Sequence, residues 1–356
     1  MFDNRIKTIQ KNLQKGEAFL VISDVNRFYY TGFHSSEGSV FICPDNAVFL
    51  IDFRYIEKAK SVVNSCEVVL SSRDDSEISD LCKKYGITKL YLEADRTPLG
   101  RYTALCNVLC GVEVSDSDKF DKITDDMRVV KTKQELEYIR KAQEYTDKTF
   151  EYVLTRIKPG ITERELMLDM EFYMRKLGSE GVSFDFIVVS GKNSSLPHGV
   201  PTDKVIENGD FVTMDFGAVY NGYRSDMTRT VAVGFATDEM KNVYQTVLTA
   251  QLEAEKQVCA GKVCFDIDKV ARDIIYNAGY EGCFGHGLGH SVGIEIHESP
   301  NFNARCKEIL KEGTIMTVEP GIYLENKFGV RIEDMVYVTK DGSINLTNSP
   351  KELIIL

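Results

Sequence analysis

The amino-acid sequence predicts two domains, an α/β domain followed by an α+β domain that contains an internal repeat. The chain has 356 residues, and a single hydrophobic core usually stops growing near about 250 to 300 residues. β-rich runs alternate with amphipathic stretches in the N-terminal third, which is typical of α/β domains. Residues 133–233 and 237–338 repeat one order of elements. We therefore assign residues 1–120 to the first domain, 121–131 to a linker and 132–356 to the second domain.

Five short runs rich in β-branched and aromatic residues predict strands in the first domain: FLVIS, SVFICP, AVFLID, EVVLS and KLYLE. The amphipathic stretches FRYIEKAKSVV and DSEISDLCKKYG predict helices between them. This part of the sequence carries no motif that indicates chemistry. The stretch DSDKFDKITDDMRVVK is rich in Asp and Lys and poor in apolar residues, which favours a linker.

The second domain begins with a long predicted helix, TKQELEYIRKAQEYTDKTFEYVLTRI, which the proline and glycine of KPG end. Thr162 and Glu165 form the capping-box pattern of the next helix. The repeat is clearest in ENGDFVTMDFGAVY (207–220) and KEGTIMTVEPGIY (311–323), because each has a glycine six residues before a carboxylate and another two residues after it. A turn and a second strand with its own acid follow in both halves.

The first of these strand pairs has a register that the sequence predicts. Asn221 and Gly222 are the strongest short hairpin signal, and a type I′ turn there sets Asp215 opposite Thr228 and Asp226 opposite Gly217. Since side chains alternate between faces, Asp215 and Asp226 project from one face as diagonal neighbours. Their carboxylates can then converge on one ion.

The second strand pair is less defined, because its loop, ENKFG, does not fix a register. We expect its two acids on one face, as in the first pair. Glu319 is one of them, and either Glu333 or Asp334 is the other, since alternation alone does not decide between adjacent acids.

Four converging carboxylates in a mostly apolar sheet require cations, because like charges at short range otherwise force protonation or disorder. Two divalent ions would balance four carboxylates, and one neutral histidine would complete the ligand set. Oxygen donors with a single imidazole favour manganese, with cobalt, iron or zinc as alternatives. A pair of ions about 3.5–4 Å apart is the arrangement that holds a hydroxide at neutral pH for hydrolysis. The sequence therefore predicts a hydrolase with two metal ions.

Three of the five histidines lie in FGHGLGHSVGIEIHE (284–298). His286 and His290 are spaced i, i+4, but the glycines between them disfavour the helix of an H-E-x-x-H site. Taken alone, this stretch and LPHG (196–199) fit glycine-rich turns equally well. His34, in TGFHSSEG, has no companion nearby and is assigned no role.

Composition excludes several other classes of protein. The formal net charge of −11 and the absence of clustered Lys and Arg argue against a nucleic-acid partner. No apolar run approaches the roughly 18 residues of a membrane span, and the N-terminus lacks the layout of a signal peptide. Nine cysteines without a C-x-x-C pair fit reduced thiols. We expect a cytoplasmic protein that binds neither nucleic acid nor membrane.

Seven motifs in one order resemble the proline-specific peptidases of the pita-bread metallopeptidase family: SSLPHG, MDFG, SDMTRT, GHGLGH, IHE, VEPG and RIED. This family includes Xaa-Pro aminopeptidase and Xaa-Pro dipeptidase (prolidase). The match covers nearly the whole second domain, and the first domain is similar to the creatinase-type N-terminal domain of these enzymes. The resemblance implies a substrate peptide with proline at its second position and a homodimer.

The resemblance also assigns roles to individual residues. It implies five metal ligands, with Asp226 and Glu333 bridging the ions: Asp215, Asp226, His290, Glu319 and Glu333. His198 and His297 correspond to two catalytic-pocket histidines that bind substrate, and Glu319 to the group that relays a proton to the leaving nitrogen. Arg331 and His286 correspond to residues that orient the ligands from outside, and Phe184 and Ile187 to apolar walls of the substrate pocket.

One departure bears on the choice between the two activities. Prolidases can hold the free carboxylate of a dipeptide with an arginine shortly after the second pocket histidine. Here that stretch reads HESPNFNAR, with Asn301 in its place and the nearest arginine at Arg305. This favours an Xaa-Pro aminopeptidase over a dipeptidase. A catalytically inactive binding module is the third hypothesis, and the presence of all five ligands argues against it.

Overall fold

A computed structural model describes residues 2–72 and 74–356 of the chain, which divides into two units, Met1–Arg128 and Val129–Leu356. The strands of the first unit are β1 (Glu17–Val21), β2 (Ser39–Cys43), β3 (Asn46–Ile51), β4 (Glu67–Leu70), β5 (Lys89–Leu92) and β6 (Glu113–Ser115). Its helices are α1 (Phe2–Asn12), α2 (Asp24–Thr31), α3 (Ile56–Val62), α4 (Ser76–Tyr85), α5 (Leu99–Val108) and α6 (Lys119–Val129), the last of which ends at the border of the units.

The six strands form one mixed sheet in the order β4-β3-β2-β1-β5-β6. The pairs β3-β4, β1-β5 and β5-β6 are parallel, and β1-β2 and β2-β3 are antiparallel. Helices α3 and α5 supply the crossovers that parallel neighbours need. The five runs that predict strands are β1 to β5, so the predicted α/β class of this domain is confirmed.

The stretch expected to be a linker, residues 121–131, is mostly helical, because it forms the greater part of α6. Phe120 is fully buried, and its ring lies 5.1 Å from that of Phe19 and 4.9 Å from that of Tyr91. Thr124, one turn later, is also fully buried and shares a 2.7 Å hydrogen bond with the Tyr30 hydroxyl. Several buried residues of α6 are polar or charged, among them Asp121, Thr124 and Arg128, so the composition of the helix resembles that of a linker.

The second unit contains four long helices: α7 (Lys133–Leu154), α8 (Glu163–Leu177), α9 (Asp238–Glu255) and α10 (Cys264–Asn277). The strands of its first half are β7 (Ile187–Ser190), β8 (Phe211–Phe216), β9 (Val219–Tyr220), β10 (Tyr223–Arg224) and β11 (Met227–Ala232). Those of its second half are β12 (Gly289–Ser291), β13 (Glu298–Phe302), β14 (Ile315–Val318), β15 (Gly321–Leu324), β16 (Phe328–Arg331), β17 (Asp334–Val338) and β18 (Ser343–Asn345).

Antiparallel sheets organise both halves of the second unit. The first half has the sheet β11-β8-β7 and the hairpin β9-β10, and the second half has the sheet β13-β12-β14-β17-β18 and the hairpin β15-β16. Capping boxes begin α7 at Thr132 and α8 at Thr162, the latter as predicted. In the described part of the chain, no helix has the length and apolar content that a bilayer crossing requires.

The internal repeat is visible in equivalent backbone positions of the two halves. Gly209 and Gly313, each six residues before its carboxylate, both have a φ of 90°. The N–H of Gly209 donates to the carbonyl of Val233 at 2.7 Å, and that of Gly313 donates to the carbonyl of Val338 at 2.9 Å. In each half, therefore, a glycine in the left-handed backbone region lies two residues before the first strand, and its N–H is hydrogen-bonded to the end of the second strand.

Asp121 of α6 gives a testable property of the first unit. Burial raises the pKa of its carboxyl to about 6, although the N–H of Ala94 donates to it at 3.0 Å. A carboxyl whose pKa is higher in the folded than in the unfolded state costs stability once it is ionised. This cost in folding free energy is absent at about pH 4, grows as the pH rises to about 6, and is constant at higher pH.

We predict that Asp121→Asn raises the melting temperature relative to wild type at pH 7 to 8, and that this difference shrinks towards pH 4. Thermal unfolding of the full chain at several pH values measures it. Asp126→Asn, at an exposed position of the same helix, controls for the change in net charge. A difference for Asp121→Asn that does not vary with pH would contradict the raised pKa.

Candidate active site

A cavity of about 770 Å³ in the second unit is lined by all eleven residues to which the sequence assigned a site role. These are Phe184, Ile187, His198, Asp215, Asp226, His286, His290, His297, Glu319, Arg331 and Glu333. They come from both halves of the repeat, so the cavity lies where the two halves meet. His34 belongs to the first unit, where its ring stacks on that of Phe28.

The first pair of acids is placed by the hairpin that the sequence predicts. Asn221 and Gly222 both have positive φ, 47° and 74°, as a type I′ turn requires. Asp215 pairs with Thr228 across β8 and β11, which confirms the predicted register. The same register sets Asp226 opposite Gly217, where a Cβ would collide with the carbonyl of Ser225. Glycine is therefore needed there for the strands to approach.

The two acids of the second pair lie directly opposite each other, whereas those of the first pair are diagonal neighbours. The register of β14 with β17 is the same as that of β15 with β16, and it sets Glu319 directly opposite Glu333. Glu333 lines the cavity, whereas the neighbouring Asp334 points away and pairs with Arg229 at 2.7 Å and with Lys351 at 2.5 Å. The choice that alternation left open is thus made by the ion pairs behind the sheet.

His290, on β12, brings an imidazole to the carboxylates. Its Nε2 lies 3.3 Å from Glu319 Oε1 and 3.6 Å from Asp226 Oδ2. Its Nδ1 lies 3.1 Å from the carbonyl of Ser291, so Nδ1 carries the proton of the neutral ring and Nε2 offers its lone pair to the cavity. This is the orientation of a metal-ligating histidine.

The electrostatics of the cavity require a counter-charge. Burial, reinforced by the carboxylate of Glu333, raises the pKa of Asp226 well above its ordinary value. Burial, with Glu319 and Asp215 close by, likewise raises the pKa of Glu333. Burial also opposes ionisation of Glu319, but in the absence of a metal ion the protonated form of His290 donates a hydrogen bond to it and adds a positive charge, which lower the pKa of Glu319 to about 2. Asp226 and Glu333 therefore have too little positive charge around them to ionise easily.

The donor atoms fit divalent cations. One ligand atom each from Asp226, His290 and Glu333 lie within 4.8 Å of one another. Asp215 Oδ1 and Glu333 Oε1 are buried and accept no hydrogen bond from any described residue, and such orphaned acceptors are costly without a partner. Carboxylate oxygens with one imidazole are the donors that manganese and similar ions prefer.

Arg331 holds these acids in place from the back of the cavity. Its Nη2 donates to Asp215 Oδ2 at 2.6 Å, and its Nε donates to Thr228 Oγ1 at 3.0 Å. The Thr228 hydroxyl in turn donates to Glu333 Oε2 at 2.7 Å. One oxygen of Asp215 and one of Glu333 are thereby occupied, and the second oxygen of each is the buried acceptor without a hydrogen-bond partner among the described residues.

Tyr323 is a site residue that the sequence reasoning missed. Its buried hydroxyl accepts from Arg331 Nη1 at 2.8 Å and lies 2.9 Å from His286 Nε2, to which it therefore donates. The other ring nitrogen of His286 lies 2.8 Å from the carbonyl of Gly287. The alternation of side chains along a strand could have indicated Tyr323, because this residue lies four positions after Glu319 and therefore on the same face.

The remaining predicted residues line the cavity from loops and from β7. His198 follows a short 3-10 helix (Gly191–Ser195), and His297 precedes β13, where its ring lies 4.5 Å from that of His290. Burial and the neighbouring His290 lower the pKa of His297, so its ring is neutral at neutral pH. Phe184 and Ile187 supply apolar wall.

The loop that carries His198 is held by a buried carboxylate outside the cavity. Glu163, the first residue of α8, is fully buried. It accepts from the N–H of Ser190 at 2.6 Å and, beyond the histidine, from the N–H and the hydroxyl of Thr202 at 3.0 and 2.6 Å. Both ends of the loop are therefore fixed to one side chain.

The GHGLGH loop is held in a similar way by an ion pair on α10. Arg272 donates to the carbonyls of Phe284 and His286 at 2.9 and 2.8 Å. Its partner Asp268 accepts from the N–H of Leu288 at 3.0 Å. These contacts define the backbone of a segment whose glycines would otherwise leave it free.

Comparisons with known proteins agree with this arrangement. Residues 137–340 match the model of metallopeptidase family M24, and residues 5–130 match that of the creatinase/prolidase N-terminal domain. The chain is 37% identical over 335 residues to a Xaa-Pro dipeptidase of Pyrococcus furiosus, covering 94% of both chains.

Two solved structures are similar over the whole chain. A Xaa-Pro dipeptidase from Bacillus anthracis has a TM-score of 0.93 and 40% identity, covering 100% of this chain and 99% of its own. An X-Pro aminopeptidase from Thermotoga maritima has a TM-score of 0.93 and 35% identity, with the same coverage. These matches confirm the predicted pita-bread fold of the second domain and the creatinase-like fold of the first.

We predict that Mn²⁺ raises the melting temperature of the metal-depleted protein, because a cation that binds only the folded state stabilises it. Asp226→Asn should abolish most of this rise and the bound manganese, since it removes one of the convergent carboxylates. Differential scanning fluorimetry with metal analysis measures both. Asp185→Asn, at an exposed position of the same cavity wall, is the matched control. An equal rise in both variants would contradict a metal role for Asp226.

Proposed function

Because the chain belongs to metallopeptidase family M24, we propose that it is an Xaa-Pro aminopeptidase, which removes the N-terminal residue that precedes a proline. The observation that carries the proposal is the single cavity shared by four acids and His290. Two further histidines, His198 and His297, line the same cavity.

Two divalent ions, with manganese favoured, would be held by Asp215, Asp226, His290, Glu319 and Glu333. When bound, such ions supply a nucleophile at neutral pH and polarise the scissile carbonyl. Asp226 and Glu333 would each help to hold both ions. Their raised pKa values and the orphaned Glu333 Oε1 support this, because both acids need a nearby positive charge to ionise.

The protein side chains move the protons and position the substrate. Glu319 Oε1 accepts from the Thr317 hydroxyl at 3.2 Å and faces His290, so Oε2 is the oxygen that takes a proton from the attacking water and returns it to the leaving nitrogen. His198 and His297 donate ring N–H groups to the carbonyl oxygen as negative charge develops there. Phe184 and Ile187 enclose apolar parts of the substrate.

The preference for proline follows from its chemistry. A prolyl nitrogen has no N–H, so peptidases that bind the N–H of the scissile bond lose a contact there. A pocket that fits the ring and delivers a proton to the leaving nitrogen replaces that contact.

Asn301 supports a preference for substrates longer than a dipeptide. It pairs with His290 across β12 and β13, so both side chains share one face, and it lines the cavity. Its amide offers both a donor and an acceptor, which matches a peptide bond after the proline. A free carboxylate has only acceptors and is better met by arginine.

Xaa-Pro dipeptidase is the second candidate activity. The relatives from Pyrococcus furiosus and Bacillus anthracis bear that name and span nearly the whole chain. We further propose a cytoplasmic homodimer, for which sedimentation velocity is the direct measurement of the assembly.

We predict that the manganese-loaded protein hydrolyses a tripeptide Xaa-Pro-Xaa with a higher kcat/KM than the dipeptide Xaa-Pro. Asn301→Arg should reverse the order by raising dipeptide hydrolysis about tenfold or more, because a hydrogen bond to a charged group contributes roughly 1.5–3 kcal/mol. Amino-acid release from both peptides measures this.

Asn301→Gln keeps an amide at the same position and serves as the control. Strong preference of the wild type for the dipeptide would replace the aminopeptidase proposal with the dipeptidase. Failure to cleave either peptide would exclude both activities.

A further inference from the structure

His297 is the last residue of a tight turn, residues 293–297. The side chain of the next residue, Glu298, closes this turn through hydrogen bonds to its backbone. The carboxylate of Glu298 folds back over this turn, where Oε1 accepts from the N–H of Ile294 at 3.0 Å and from that of Glu295 at 3.2 Å. A Cβ on Gly293 would collide with the Glu298 carboxylate. Glycine therefore makes room for a carboxylate that sets the path of the backbone into His297.

The other oxygen of Glu298 is bound by a buried lysine. Lys131 Nζ lies 2.8 Å from Glu298 Oε2, and the side chains of Lys131 and Glu298 are only 1% and 5% exposed. Lys131 precedes the N-cap of α7, and its N–H donates to the carbonyl of Gly313 at 2.9 Å. An ammonium so deeply buried is costly unless it is paired, and removing one partner of such a pair leaves an uncompensated buried charge.

Arg224 holds the same turn from the first half of the repeat. Its N–H donates to the carbonyl of Gly293 at 2.9 Å, and its Nε donates to that of Ile294 at 2.8 Å. Arg224 lies two residues before Asp226. The turn is thus fixed on one side by the strand that leads to an acid of the cavity and on the other by Lys131.

We propose that Lys131 is a positioning residue for His297, acting through Glu298 and the turn 293–297. The catalytic importance of this positioning role rests on the proposed function. The effect of Lys131 on the position of the His297 ring does not. Lys131 itself does not line the cavity. His198 depends on a separate anchor, Glu163, so loss of Lys131 should displace one pocket histidine and leave the other in place.

The first test is structural and needs no substrate. Zinc-loaded protein, which is diamagnetic, is labelled with ¹⁵N-histidine, and its five histidines give few enough signals to assign with His297→Ala. In Lys131→Met, the His297 ring signals should shift or broaden, while those of His198 and His34 keep their positions. Unchanged His297 signals in a folded Lys131→Met protein would overturn the proposal.

The second test is kinetic. In Lys131→Met, kcat for an Xaa-Pro-Xaa peptide should fall about tenfold or more, as part of the roughly 10²–10⁴ that a positioned proton-transfer group contributes. Bound metal should not change. In a His297→Ala background the same substitution should change kcat by less than about twofold, because residues acting through one group are not additive. A full additional loss would show that Lys131 acts elsewhere.

Two further variants keep the outcome interpretable. Lys131→Met/Glu298→Ala removes both charges, so it leaves no unpaired buried carboxylate if Lys131→Met alone fails to fold, and it should displace His297 at least as far. Arg101→Met breaks the ion pair with Asp75 in the first unit and should leave the His297 signals unchanged. If the wild type cleaves no Xaa-Pro peptide, the proposed function fails, and the NMR comparison still decides the positioning role.

Discussion

Electrostatic repulsion among four carboxylates is the constraint around which the second unit is built. Asp215, Asp226, Glu319 and Glu333 line one cavity, where burial raises the pKa of Asp226 and of Glu333. One buried arginine, Arg331, contacts the cluster and binds Asp215 directly. A single guanidinium cannot balance four acids, so the arrangement depends on cations that the remaining oxygens are free to bind.

The fold brings these acids together by using one hairpin twice. Equivalent glycines, Gly209 and Gly313, start the first strand of each hairpin with the same backbone angle. The two hairpins then differ in detail, because Asp215 and Asp226 are diagonal neighbours whereas Glu319 and Glu333 are directly opposite. Two sheets that approach each other can therefore present two pairs of acids at different spacings to the same small volume.

Three of the four histidines that line the cavity, His198, His286 and His297, are placed by loops rather than by strands, and each loop has its own anchor. Glu163, the Arg272–Asp268 pair and the Lys131–Glu298 pair all lie behind the loops that they hold. Each anchor satisfies backbone N–H or carbonyl groups that glycine-rich turns leave without a partner. Precise placement of a neutral ring thus depends on charges buried outside the cavity.

The sequence by itself determined the elements that depend on local chain chemistry: five of the six strands of the first domain, the capping box at Thr162, and the hairpin register at Asn221 and Gly222. It did not predict helix α6, whose buried Phe120 packs against Phe19 and Tyr91, far away in the chain. Strand alternation could not choose between Glu333 and Asp334, and the sequence reasoning assigned no role to Tyr323. Only the tertiary structure decided these, because contacts such as Arg331 with Asp215 join residues 116 positions apart, and local periodicity carries no record of them.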